Sequence, residues 1–345
     1  MTTTRTPARS GVVTLTANPS LDRTLVLPGR LDRGSMARLG ASHSEPGGKG
    51  VNVSRAVAGA GVDVVSVLPA AENDPVVRAL QALGLRLATV PIGAPVRTNY
   101  TLTEPDGTTT KLNEPGALLD EDVRQALLAA VRTPARAAHW VVLSGSLPPG
   151  TPVDWYATLV RGLRGTGARI AVDTSEAPLL ALLAAGPDAA PDLLKPNTEE
   201  LAQLAGSTEE ALTADPEELL AAVETLHTRG VAEVLLTLGA DGALLSTADG
   251  GRWSARPPRV TVRSTVGAGD SSLAGYLLAD LAGGDAASRL RTAVAYGAAG
   301  AALPGSAVPT PAQADPAAVQ IVAGYAGIPS PVPVGARPVA GPAAR

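Results

Sequence analysis

The run STVGAGDSSLAGYLL, beginning at Ser264, sets three residues with minimal side chains, Gly267, Ala268 and Gly269, directly before Asp270. Apolar periodicity from Leu273 onward predicts a helix that starts here, so several unpaired backbone N–H groups converge at a positive helix end and form an anion site. Asp270 falls in the first turn, where a carboxylate is also a favourable N-terminal charge, so spacing alone leaves both roles open. Chemical logic favours catalysis. A phosphoryl group held by the N–H cluster beside an ionised carboxylate is arranged for transfer to a hydroxyl, with the carboxylate taking the hydroxyl proton.

A second stretch, EPGGKGVNVSRA, begins at Glu45. Gly47 and Gly48 allow a close backbone approach, and Gly50 with Asn52 opens a helix that continues through Val53, Val57 and Ala60. Read alone, Lys49 is equally a solvated lysine on a tight turn. Upstream, Asp22 in NPSLD follows the first strand, where its carboxylate could accept hydrogen bonds from sugar hydroxyls or simply cap a turn. Rival motifs fail on spacing. Lys49 is not a Walker A lysine, because position 43 is His and Gly50 replaces the needed Ser or Thr. No glycine fingerprint follows the first strand, and Ser144-Gly145-Ser146 is not a nucleophile elbow.

These residues need a frame to position them. The apolar runs at residues 12–17, 64–68, 140–145, 170–173, 193–197 and 234–239 are nearly continuous, as strands buried on both faces should be. Helical patterns such as ALLDEDVRQALLAAVR and DPEELLAAVETLHTRG lie between them. Strand then helix, repeated, predicts an α/β fold with a mostly parallel central sheet between two helical layers. Two segments, about 23–44 and 95–114, alternate polar and apolar residues without a following helix, the second turning at Glu104-Pro105-Asp106-Gly107. They predict a small antiparallel lid over the strand ends where open α/β sheets bind ligands.

Composition excludes several classes. The 345 residues contain no Cys, which removes thiolate nucleophiles, cysteine metal sites and disulfide scaffolds. With 28 Lys+Arg against 32 Asp+Glu, the net charge of −4 lacks the footprint of a nucleic-acid binder. The first ten residues carry no apolar signal run, and no stretch reaches about 18 uninterrupted apolar residues, so the expectation is a cytoplasmic protein without a membrane partner. Residues 1–10 and the Pro/Gly/Ala-rich 328–345 read as disordered tails. The three His residues, His43, His139 and His227, have no metal-ligand spacing and read as ordinary edge or surface residues.

Taken together, NPSLD, EPGGKGVNVSRA, VRTNYTL, TKLNEPG, SGSLPPG, KPNTEEL, LGADGALL and STVGAGDS resemble the ribokinase-like carbohydrate kinases, in their phosphofructokinase B (PfkB) branch. The resemblance spans residues 11–327 as one kinase domain and implies a ribokinase-like α/β/α architecture with an antiparallel β lid. It implies Asp270 as the catalytic base, with Gly267, Ala268 and Gly269 as the anion hole. Asp22, Gly48, Lys49 and Asn52 match sugar-contacting positions, and Ser144 matches a substrate-side serine. Asn197 and Glu200, in KPNTEEL with Lys195, match the element that tunes Mg²⁺ and phosphate binding through water. Thr237, Gly239 and Gly242 match the stretch that cradles the nucleotide, and the helix around Gly297 would close over adenine. ATP and Mg²⁺ are the implied cofactors, and a homodimer joined through the lid is the implied assembly.

Ser264 stands where ribokinase-type members commonly have Asp, which narrows the branch. RTN at residues 97–99 and NEPG at 113–116 look most like the 1-phosphofructokinases, with tagatose-6-phosphate kinase as nearest rival. A sugar phosphate and ATP both bring negative charge to a chain of net −4, so cations must gather locally. Arg38, Lys49 and Arg97 are the candidates, although each alone also reads as a solvated surface charge.

Overall fold

The computed structural model describes residues 11–325, so the expectations for residues 1–10 and 328–345 lie outside the described residues. The chain opens with β1 (Val12–Thr16), β2 (Ser20–Val26), β3 (Ala41–Gly47) and α1 (Lys49–Gly59). Next come β4 (Val64–Pro69), α2 (Pro75–Ala82), β5 (Arg86–Val90), β6 (Arg97–Thr103) and β7 (Thr109–Asn113). Strict alternation follows in α3 (Glu121–Ala135), β8 (Trp140–Ser144), α4 (Trp155–Leu163), β9 (Arg169–Asp173), α5 (Glu176–Ala184) and β10 (Leu193–Leu194). Three helices, α6 (Thr198–Ala205), α7 (Glu209–Ala214) and α8 (Pro216–Thr228), lead to β11 (Glu233–Thr237), β12 (Ala243–Thr247) and β13 (Arg252–Arg256). Finally α9 (Ala268–Leu281), α10 (Ala286–Ala301) and β14 (Gln320–Ala323) complete the described chain.

Ten strands form the main sheet in the order β14-β13-β12-β11-β10-β9-β8-β1-β4-β5. Pairing is parallel from β5 through β11, and antiparallel where β12, β13 and β14 extend one edge. Because side chains alternate across a strand, consecutive residues feed opposite cores. Val13, Leu15, Val141 and Leu143 enter one core with helices α3, α4 and α8. Val12, Val64, Trp140 and Val142 enter the other, with α1, α9 and α10. That two-sided burial explains the continuous apolar runs, each fully buried Val or Leu being worth roughly 1.5–3 kcal/mol relative to exposure. The predicted strand at 193–197 shrinks to two residues, since Pro196 cannot donate to a ladder.

The lid corrects one expectation. Its strands lie in the order β3-β2-β6-β7, and β2 pairs with β6 in parallel, so the small sheet is mixed rather than antiparallel. Both strands leave the carboxyl edge of the main sheet in the same direction, β2 after β1 and β6 after β5. Each is then closed by an antiparallel return, β3 or β7. The lid also starts earlier than expected, at Ser20, which puts Asp22 on a lid strand. Among the described residues, no helix is long and apolar enough to cross a membrane.

Candidate active site

A cleft of about 920 Å³ opens between the lid and the carboxyl ends of the parallel strands. At its lid end stand Asn18, Asp22, Arg97 and Asn99. The parallel register sets Asp22 beside Asn99, whose amide donates to Asp22 Oδ1 at 2.9 Å, while Ser20 Oγ donates to the same oxygen at 2.7 Å. Arg97 is held by donating to the carbonyls of Glu114 at 3.1 Å and Asn18 at 3.2 Å, and its Nε has no partner. Below this lies the turn from β3 into α1. A Cβ on Gly47 would collide with the Asp22 carboxylate, and Gly48 adopts φ 111°, so glycine at both positions lets the turn pass under Asp22.

In the middle of the cleft, Gly267 stands at the N-cap of α9, where its left-handed φ of 76° turns the chain into the helix, and residues 267–270 line the cavity. Asp270 sits in that first turn, buried, and accepts a 2.9 Å hydrogen bond on Oδ2 from the Asn52 amide of α1. Burial pushes its carboxyl above the usual range, with the neighbouring Asp173 charge adding to the shift against the pull of Lys49 and Asn52. A buried carboxylate with raised basicity, aimed into a cleft beside a helix N-terminus, has the chemistry of a general base.

Lys49 lies at the start of α1, but its ammonium is committed to Asp173 Oδ1 at 2.8 Å. Burial works against its charge, yet Asp173, Asp270 and Glu200 together raise its pKa. Lys195, almost wholly buried, approaches Asp173 Oδ2 at 3.3 Å in an ion pair not aligned as a hydrogen bond. A Cβ on Gly269 would stand 3.2 Å from Lys195 Nζ, which puts that ammonium directly beneath the glycine-rich loop. Asp173 itself is fully buried, and the two ammoniums override the cost of burial to hold its carboxyl below the usual range.

Toward the far end, Asn197 and Glu200 form a reciprocal cap on α6. The Asn197 side chain accepts from the Glu200 N–H at 2.7 Å, and Glu200 Oε2 accepts from the Asn197 N–H at 2.9 Å. Burial, then the Asp173 charge, raises the Glu200 carboxyl. Thr237, Gly239, Gly242, Gly297 and an aliphatic wall that includes Val260, Val262 and Val294 complete this end.

A model of the pfkB family carbohydrate kinases matches residues 16–313. The chain belongs to this family. It is 37% identical over 287 residues to a 1-phosphofructokinase of Xanthomonas campestris, covering 81% of this chain and 88% of that protein. It is 37% identical over 295 residues to a 1-phosphofructokinase of Rhodobacter capsulatus, covering 84% and 90%. In three dimensions it is similar to phosphofructokinase-2 of Escherichia coli in complex with substrates and products, with TM-score 0.78, 30% identity, and 88% and 97% of the two chains covered. The protein is therefore a carbohydrate kinase, a phosphotransferase of a family that uses ATP.

For this pfkB kinase the cleft gathers Asp22, Gly48, Lys49, Asn52, Arg97, Lys195, Asn197, Glu200, Thr237, Gly239, Gly242, Gly297 and the segment 267–270. Two expected residues stand apart from it. Arg38 is exposed on the segment between β2 and β3 and does not line the cleft. Ser144 is fully buried at the end of β8 with its hydroxyl unpartnered, whereas Gly145 and Ser146 line the cavity. Among the polar neighbours that escaped the sequence reading are Asn18, Asn99 and Asp173. The first two lie inside NPSLD and VRTNYTL, and Asp173 closes the apolar run IAVD at a strand's carboxyl end, a position that signals a site in parallel sheets.

Proposed function

We propose that this kinase transfers the γ-phosphoryl group of ATP to the free primary hydroxyl of a ketohexose monophosphate, with fructose-1-phosphate as preferred acceptor and fructose 1,6-bisphosphate as product. The observation that carries the reading is one continuous cleft with a buried carboxylate at its middle. Asp22, Asn99 and Arg97 offer sugar-hydroxyl and phosphate partners at one end, and glycine-rich backbone with aliphatic walls lies at the other. The acceptor oxygen attacks the γ-phosphorus in line, Asp270 takes its proton, and the bond from the γ-phosphorus to the bridging oxygen breaks to release ADP. Charge developing on the transferred group faces the N–H groups of residues 267–269 and the α9 dipole. The lid excludes water that would otherwise hydrolyse ATP.

The residues present also suit Mg²⁺. Glu200 has one oxygen engaged in the α6 cap and, with Asn197, would contact such an ion through water. Bound there, Mg²⁺ would neutralise charge on the phosphates. The names of the two 1-phosphofructokinase relatives support the choice of acceptor.

ADP release measured with fructose-1-phosphate, tagatose-6-phosphate, fructose-6-phosphate and unphosphorylated fructose tests the reading. The expected ranking by kcat/KM puts fructose-1-phosphate first. A preference for either 6-phosphate or for fructose overturns the acceptor, and no turnover with any of the four overturns the ketohexose reading.

A further inference from the structure

Asp173 is a buried charged group beside the cleft for which the scheme above has no task. It is rooted firmly: β9 is hydrogen-bonded on both sides, to β8 and to β10, and the Asp173 carbonyl accepts from the Gly145 N–H at 2.9 Å. Both of its partners are long, flexible cations in places that need explaining. Lys49 is the first residue of α1 and lies at a helix N-terminus, where the dipole disfavours positive charge. Lys195 is almost wholly buried beneath Gly269, close to the N-terminus of α9. Neither ammonium gains from its helix end. Both are held at that level of the cleft by the same carboxylate, at 2.8 Å and 3.3 Å.

We propose that Asp173 is a positioning residue for phosphoryl transfer: it fastens the Lys49 and Lys195 ammoniums at the junction of the sugar and nucleotide halves of the cleft. There they add two fixed positive charges to the anion site formed by residues 267–269. Lysine is a compact charge on a stem with many rotamers, so a rigid counter-ion is what converts it into a preorganised electrostatic partner. Lys49 comes from the sugar side and Lys195 from the nucleotide side, so one buried carboxylate also sets the relative position of the two halves. The inference rests on the kinase reading but not on the identity of the acceptor, so it is tested with whichever sugar phosphate the wild type turns over best.

Asp173→Asn keeps shape and removes the charge. The expected result is kcat lowered about 10²-fold, the scale of a small misplacement at the reacting centre, with KM for both substrates within about threefold of wild type. In a Lys49→Met or a Lys195→Met background the same substitution is expected to cost clearly less than in wild type, because one of the two groups through which it acts is already gone. A kcat within about twofold of wild type overturns the proposal, as do losses that multiply in full in both Lys49→Met and Lys195→Met backgrounds. If Asp173→Asn does not fold, Lys49→Met alone decides. Loss of kcat with KM retained supports the arrangement, and a rise of more than about tenfold in sugar-phosphate KM with kcat retained overturns it by making Lys49 a sugar-phosphate ligand.

Discussion

Asp270 shows how one side chain acquires a function that its type does not carry. An aspartate in the first turn of a helix is ordinary; one that is buried, pushed toward protonation and tied on one oxygen by Asn52 is a base in waiting. Asp270→Asn should retain nucleotide binding and lose about 10²–10⁴ in turnover, measured by ADP release, the usual contribution of a positioned general base. Its stability should move the other way. Because the folded-state pKa is raised, the group's stabilising contribution is complete below its unfolded pKa and is lost as pH rises through the folded value. At neutral pH the carboxylate therefore costs stability, and Asp270→Asn should melt above wild type by calorimetry. That advantage should shrink on acidification, and a variant less stable than wild type at neutral pH would contradict the assignment of a raised pKa.

At the scale of elements, site and scaffold share parts. The cap on α6 is both the start of a helix and the far wall of the cleft, so Asn197 and Glu200 serve two ends with one geometry. Asn197→Ala removes the side-chain acceptor for the Glu200 N–H and should cost about 1 kcal/mol, read as a lower denaturant midpoint at unchanged slope. Loss of the Glu200 orientation should also raise the KM for MgATP, while the sugar-phosphate KM stays near wild type. The strands and helices were legible for a physical reason: two-sided burial demands unbroken apolar runs, and helices between them carry caps such as Asp120 and Asp215. The lid was legible only as two alternating segments. Its parallel β2–β6 pairing has no local sequence signature, because register between partners 77 residues apart depends on where the main sheet releases each strand.

For the molecule as a whole, the lid presents apolar surface that no element covers among the described residues. Met36 is 82% exposed, Leu112 55% and Leu39 47%, and every residue of the edge strand β7 is exposed. A bare edge strand with apolar neighbours is a liability unless another chain covers it. A second copy of this chain is the proposed cover, and sedimentation at micromolar concentration should show a dimer that Met36→Asp with Leu112→Asp reduces to monomer. A wild-type monomer would refute that assembly.

Chain order and residue type were enough to determine the α/β class, the glycine-rich anion loop with its carboxylate, and the kinase resemblance, because these depend on local spacing and two-sided burial. Only the tertiary structure decided which charged residues meet. Arg38, expected at the site, lies away from it, and Lys49, expected to reach for a sugar phosphate, is bound to Asp173. Asp173 lies 124 residues from Lys49 and 97 before Asp270, and nothing in IAVD marks it beyond its place at a strand end. Electrostatic partnership falls off over a few ångströms of space and is blind to distance along the chain, so the counter-ions of an active site are chosen by the fold.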